Sequence, residues 1–318
     1  MSELTGAKIL GFGGYQPDKV VTNDDLSKLV DTSDEWIRSR VGIKSRRVAR
    51  DDETVADMAE AAGAKALAAS GLEPSEVDLV IVATCSPESV MPTVAATVAY
   101  RLGIVAPGAY DLNAACAGFC YAIGAAADSV RAGSARNVLV IGAEKMTSWI
   151  DWTDRSTCII FADGAGAAVV GATAPGEPSG IGPVVWGSAG DQADKITVSG
   201  RTGTLAQDGQ GVFRWATTAM APVALEACRR AGVTPADITA FIPHQANLRI
   251  IEAIAKKLGI PRDRLADDII TAGNTSSASV PLALAAMSEQ GRLQPGTPAL
   301  LIAFGAGLSY ASQVITVP

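Results

Sequence analysis

Apolar positions along this chain follow two alternating rhythms. Short unbroken apolar runs predict buried strands, and longer alanine-rich stretches with one apolar face predict helices. Two segments are near copies of each other. Ser70–Ile81, SGLEPSEVDLVI, and Ala231–Ile242, AGVTPADITAFI, each hold a helix-ending glycine, a proline-initiated turn and an apolar strand. Gly71 and Gly232 lie 161 positions apart. The same step carries Asn113 to Asn274, and Leu139-Val140-Ile141 to Leu300-Leu301-Ile302. One offset that aligns three separated blocks marks an internal duplication.

The segments before these strands, Val55–Ser70 and Val212–Ala231, predict matching helices. Both halves also end alike. Phe161-Ala-Asp-Gly-Ala-Gly leads into AAVV, and Phe304-Gly-Ala-Gly leads into SYASQVI, which reads as glycine-rich turns feeding final strands. Strands alternating with helices predict an α/β protein whose sheets are mostly parallel. The Gly- and Pro-rich stretch GATAPGEPSGIGP, near residues 171–185, reads as the joint between halves spanning 1–172 and 173–318. A site is expected between the halves, on loops at the carboxyl ends of strands.

Composition narrows the function classes. The 318 residues are 48% hydrophobic and 19% charged, enough for a large core and against disorder. A formal charge of −7 argues against a broad nucleic-acid surface, so an acidic partner would need a local basic patch. No apolar run reaches the roughly 18 residues of a membrane span. The leading MSELTGAKIL lacks a secretory pattern, and a soluble cytoplasmic protein is expected. Five scattered cysteines without a CxxC pair suggest reduced thiols rather than disulfides or zinc.

Three residues stand out chemically. Cys116, in NAACAGF, falls where a strand exit meets a helix start. Unpaired N–H groups and the helix dipole there would lower a thiol pKa that is about 8.5 when free. Taken alone, Cys116 also fits a buried structural cysteine; Cys85, Cys120, Cys158 and Cys228 read as packing. His244, the only histidine, follows the strand Ile238–Ile242 in PHQAN, beside polar amides. A capping or surface role remains open for it. Asn274, in GNTSSAS, is the repeat partner of the Cys116 region, although a helix cap would explain it as well. The turn Gly305-Ala306-Gly307 could bring backbone N–H groups to a reacting oxygen. Gly11-Phe12-Gly13-Gly14 is not a dinucleotide loop, because Pro17 and polar residues come next where a helix should start. The Asp163-Gly-Ala-Gly segment reads as a structural turn.

TSDEWIRSRVGI (Thr32–Ile43), NAACAGF (Asn113–Phe119), DRSTCIIFADGAGA (Asp154–Ala167), PHQAN (Pro243–Asn247) and GNTSSAS (Gly273–Ser279), in this order and spacing, resemble β-ketoacyl-acyl carrier protein synthase III over essentially the whole chain. The resemblance implies the thiolase fold, two duplicated halves in an αβαβα layered sandwich. It also implies decarboxylative Claisen condensation of an acyl-CoA primer with malonyl-acyl carrier protein. Related elongating synthases use two histidines and thiolases a second cysteine near the last glycine-rich loop. Chalcone-synthase-like enzymes are longer. This chain fits none of these.

By resemblance, Cys116, His244 and Asn274 are catalytic, and the backbone N–H groups of Cys116 and Ala306 hold an oxyanion. Trp36 and Arg155 would sandwich the adenine of coenzyme A, with Arg40 near its phosphates and Asn247 on the pantetheine arm. Arg249 would meet the carrier protein. Lys256, seven residues on, shares its helical face, with Lys257 adjacent and Arg214 extending the patch. A homodimer is implied, in which Met91, where the family shapes the acyl pocket, reaches across to the partner. A flexible Met there suggests medium or branched primers. No metal or redox cofactor is implied. Ala306 stands where the family often has glycine, which is tolerable if its φ is negative. An ester-forming or polyketide-priming relative is the alternative.

Overall fold

The computed structural model describes residues 6–200 and 202–318; Met1 to Thr5, the start of the first half, and Arg201 lie outside the described residues. The duplication predicted at one offset governs the fold. Strand β2 (Leu79–Ala83) starts 161 residues before β7 (Ala240–Pro243), and β4 (Asn137–Lys145) starts 161 before β8 (Pro298–Gly305). Helix α3 (Gly118–Arg131) and helix α6 (Ser279–Glu289) keep the same step, as do the 3-10 turns Pro74–Glu76 and Pro235–Asp237. Gly71 and Gly232 close the preceding helices, both at φ 72°, which a side chain would resist.

The first sheet runs β1 (Ala7–Tyr15), β5 (Asp163–Ala172), β4, β2, β3 (Gly108–Leu112) across its width. The second runs β7, β8, β9 (Ser309–Thr316), β6 (Val185–Ser188). All strands of one sheet come from residues 7–172 and all of the other from 185–316. The sheets are mixed rather than mostly parallel. Strands linked through a helix, β2 with β3 and β4, and β7 with β8, are parallel. The last strand of each half is reached without a crossover helix and so runs antiparallel to its predecessor. Gly305 pairs with Ser309 across a turn, and the Asp163-Gly-Ala-Gly segment lies inside strand β5, not in a turn.

Helices α1 (Val55–Ser70) and α2 (Val94–Arg101) cover the outer face of the first sheet, and α4 (Gly209–Arg230), backed by α5 (Leu248–Leu258), covers that of the second. α3 and α6 lie between the sheets and touch both, which gives the expected five layers. This central layer is built from small residues. Ala117, Ala122, Ala126, Ala283 and Gly118 let two helices and two sheets approach closely, while the fully buried Phe119 fills the remaining space. Burying such a ring is worth about 1.5–3 kcal/mol. Among the described residues no helix is long and apolar enough to cross a membrane.

Candidate active site

The amino ends of α3 and α6 meet at the seam between the halves, and each is entered through the same turn. In the first, Asn113 Oδ1 accepts from Ala115 N at 3.1 Å, Ala115 takes φ 47°, and a 3-10 turn (Ala115–Ala117) carries Cys116 into the helix. The thiol lines a narrow, mainly apolar cavity together with His244, Asn274, Phe304, Gly305 and Ala306. The three residues singled out in the sequence are therefore together, from both halves. Cys116 is 9% exposed, Asn274 5% and His244 2%.

Contact across the seam is close. A Cβ on Gly305 would lie 2.7 Å from Cys116 Cβ and 3.0 Å from its Sγ, so only glycine fits there. Ala306 keeps a negative φ while Gly307 takes φ 129°, which is why the middle position of Gly-Ala-Gly accepts a side chain. The expected fall in the Cys116 pKa is not found. Burial pushes this thiol up to about 12, with the charge of Glu144 adding to the rise, against a smaller lowering by the Ser276 hydroxyl. In a narrow, mainly apolar cavity, desolvation of the anion outweighs the helix terminus.

His244 leaves strand β7 with its own N–H donating to Ile302 O at 2.7 Å. Its ring stands edge-on to Phe304, centroids 5.4 Å apart. Nδ1 lies 2.7 Å from Ser279 Oγ. Burial lowers the imidazole pKa to about 3, so the ring is neutral at neutral pH and carries a single N–H.

Asn274 is pinned by its backbone. Its N–H donates to Ile160 O and its carbonyl accepts from Ala162 N, both at 2.9 Å. Its Oδ1 accepts from Ser276 N at 2.9 Å, and this fixes which end of the amide is the donor. Just behind the turn lies Glu144, a fully buried carboxylate that sequence reasoning missed. Seven neutral donors surround it. One oxygen accepts from the Thr84 and Ser86 hydroxyls and from the N–H groups of Cys85 and Ser86. The other accepts from Cys85 Sγ (3.2 Å), Ser276 Oγ (3.0 Å) and Ser277 Oγ (2.8 Å). Glu144 thus ties the first half to the Asn274 turn of the second. Cys85 is not simply packing, because it lines the cavity and its thiol pKa is raised by burial and by Glu144. Cys120, Cys158 and Cys228 are buried away from the cavity lining.

Outside the cavity, the Arg155 guanidinium lies 4.8 Å and that of Arg40 5.5 Å from the Trp36 ring centroid. Arg155 also donates to Asp31 O at 2.7 Å. The two expected sides of an adenine slot therefore face each other, closed. Asn247 has structural duties: Oδ1 caps α5 at Arg249 N (2.9 Å) and Nδ2 donates to Arg40 O (3.2 Å). Arg249, Arg214, Lys256 and Lys257 are exposed on the adjoining helices α4 and α5. Arg249 lies over Phe213 at 5.3 Å, and Lys257 Nζ donates to Thr217 O at 2.6 Å. Met91 lies outside the cavity of its own chain and is 81% exposed.

Known proteins resemble both halves of this chain. Residues 110–190 match the family described as 3-oxoacyl-[acyl-carrier-protein] synthase III, and residues 228–317 match the C-terminal region of the same family. A Streptomyces coelicolor protein named β-ketoacyl-[acyl-carrier-protein] synthase III 4 is 53% identical, over 98% of this chain and 99% of its own. The solved priming β-ketosynthase of the R1128 polyketide biosynthetic pathway shares 44% identity at a TM-score of 0.96, over 100% of this chain and 98% of that one. The 3-oxoacyl-[acyl-carrier-protein] synthase III of Aquifex aeolicus shares 42% at 0.94, over 98% and 100%. With likeness of this extent over the full length, and both halves matched, the chain belongs to the β-ketoacyl-[acyl-carrier-protein] synthase III family.

Proposed function

We propose that the chain condenses an acyl-CoA primer with malonyl-acyl carrier protein, in the cytoplasm, to initiate fatty acid synthesis. The observation that carries this reading is the meeting of Cys116, His244 and Asn274 in one mainly apolar cavity at the seam. In the first half-reaction Cys116 Sγ bonds to the acyl carbon, the CoA sulfur leaves, and the thiol proton ends on that sulfur. The oxyanion of this step would sit on the N–H groups of Cys116 and Ala306. In the second, the bond from malonyl carbon to its carboxylate breaks, CO₂ departs, and the electron pair passes into an enolate on the thioester oxygen. Neutral His244 and the Asn274 amide donate to that oxygen. The enolate carbon then bonds to the acyl carbon, the bond to Cys116 breaks, and the thiolate is reprotonated by water.

The closed pairing of Trp36 with Arg155 supports an adenine slot that opens for coenzyme A, near Arg40. Arg249, Arg214, Lys256 and Lys257 offer an acidic carrier protein a basic surface on an otherwise acidic chain. Among the described residues strand β3 ends its sheet with an unpaired edge, flanked by Tyr100 and Val105, which are more than three-quarters exposed. A second copy covering that edge would form the homodimer and bring Met91 to the partner's cavity. Priming of a polyketide starter is a second reading, supported by the likeness to the R1128 enzyme. Exposure to a panel of acyl-CoAs, then to malonyl-carrier protein, with intact mass as the readout, tests both. The proposal expects an acyl adduct on Cys116 that disappears as a β-ketoacyl product forms; no adduct with any acyl-CoA would overturn it. The carrier protein that accepts the product separates the two readings.

A further inference from the structure

The only histidine of the chain needs a defined tautomer, because a neutral ring has one N–H, and with Nδ1 turned to Ser279 only Nε2 is left to donate into the cavity. The hydroxyl that settles this sits across the seam-facing turn. Ser279, the first residue of α6, is 1% exposed. Its Oγ has two partners: Gln245 N, at 3.3 Å, and His244 Nδ1, at 2.7 Å. The backbone N–H of Gln245 can only donate. Among the described residues the hydroxyl hydrogen of Ser279 therefore has one acceptor within reach, Nδ1, and a protonated Nδ1 would leave that buried hydrogen unmet.

We infer that Ser279 is a positioning residue that donates to His244 Nδ1 and so holds the imidazole as the Nε2–H tautomer, with its proton aimed into the cavity. Gln245 completes the device. Its side-chain Nε2 donates to Pro243 O at 2.7 Å and its Oε1 accepts from Ile269 N at 3.0 Å, so the N–H that occupies Ser279 is itself held rigidly. The edge-on Phe304 keeps the ring plane, and Ser279 selects the proton's position within it. The equivalent position in the first half, Gly118, has no hydroxyl, in keeping with a turn that presents a thiol and no imidazole.

This inference rests on the condensation reading but is tested apart from it. Protein labelled with ¹⁵N-histidine, with no added histidine tag, gives one imidazole spectrum, which needs no substrate. The expected spectrum has a protonated Nε2 and an unprotonated Nδ1; a protonated Nδ1 in the unmodified protein would overturn the inference. Ser279→Ala should shift the spectrum toward the other tautomer. It should also slow malonyl decarboxylation by about tenfold to a hundredfold, below the usual loss for removing a whole oxyanion donor. Acylation of Cys116 should change by less than about twofold, since no Nε2–H is used in that step. Ser279→Thr should restore both spectrum and rate. If Ser279→Ala keeps the original spectrum and rate, Ser279 does not set the tautomer. A failure of wild-type Cys116 to take an acyl group would instead remove the condensation reading and leave the tautomer assignment standing.

Discussion

The turn before α3 and the turn before α6 are one device used twice for different ends. Both open with an asparagine that bonds the N–H two residues on, and both place a non-glycine residue at positive φ, Ala115 at 47° and Ser276 at 50°. Both continue through a 3-10 turn into a helix. In the first, Asn113 is exposed and the chemistry falls to Cys116. In the second, Asn274 is buried against the cavity, and Ser277, at the place of Cys116, shares its single hydroxyl hydrogen between Ala83 O (2.7 Å) and Glu144 Oε1 (2.8 Å). An identical backbone thus supplies a nucleophile on one side and a donor on the other. Which residue of the turn works depends on which one lines the cavity: Cys116 and Asn274 do, Asn113 and Ser277 do not.

That comparison can be broken at four places. The largest effect is expected from Asn274→Ala. It should still take an acyl group on Cys116 but lose about 10²–10³-fold in decarboxylative condensation. Normal condensation, measured by product mass, would mean that only the Cys116 turn is chemical. Next, alkylation of Cys116 by iodoacetamide should rise about tenfold per pH unit from pH 7 to 9, because burial holds the thiol far above that range and the reactive thiolate is a small, growing fraction. A plateau below pH 8, read by peptide mass, would show that the helix terminus prevails over burial.

Third, Glu144→Gln should cost about 2–3 kcal/mol of stability, since an amide cannot accept from all the donors the carboxylate gathers; the shift in denaturant midpoint measures it. Condensation should suffer more than acylation, because Ser276 and Ser277 belong to the Asn274 turn. The smallest effect is Ala115→Gly. Relief of positive φ, roughly 1–2 kcal/mol, is partly offset by the flexibility glycine adds to the unfolded chain, leaving about 0.5 kcal/mol of stabilisation. Thermal denaturation would detect it, and a loss of stability would show that the φ of this turn is not strained.

The duplication is legible in the sequence because one offset connects Gly71, Asn113 and Leu139 to their partners, and duplicated folds keep their helix starts and strand starts in step. His244 can be found because it has no competitor in the chain. Sheet direction is easily misread, because a glycine-rich turn and a crossover look alike until the length between two strands is weighed. Glu144 escapes notice because a single acid after an apolar strand reads as a solvated strand end. The clue lies just downstream: no turn residue comes directly after GAEK, and the strand stays buried through Glu144. Cys85 is hidden for another reason, since its role depends on packing against the other half, which no local pattern records. The thiol pKa depends on how dry the cavity is, and a sequence does not state that.

The missing side chain at Gly305 has a wider consequence. The second half approaches the nucleophile so closely that one methyl group would collide with it, which makes the spacing of the halves a gauge set to atomic tolerance. Substitutions in the central layer that wedge the halves apart by a fraction of an ångström would leave a folded but inactive protein. A melting curve would record only the ~1–3 kcal/mol of overpacking, whereas an assay of turnover would record the loss of the site.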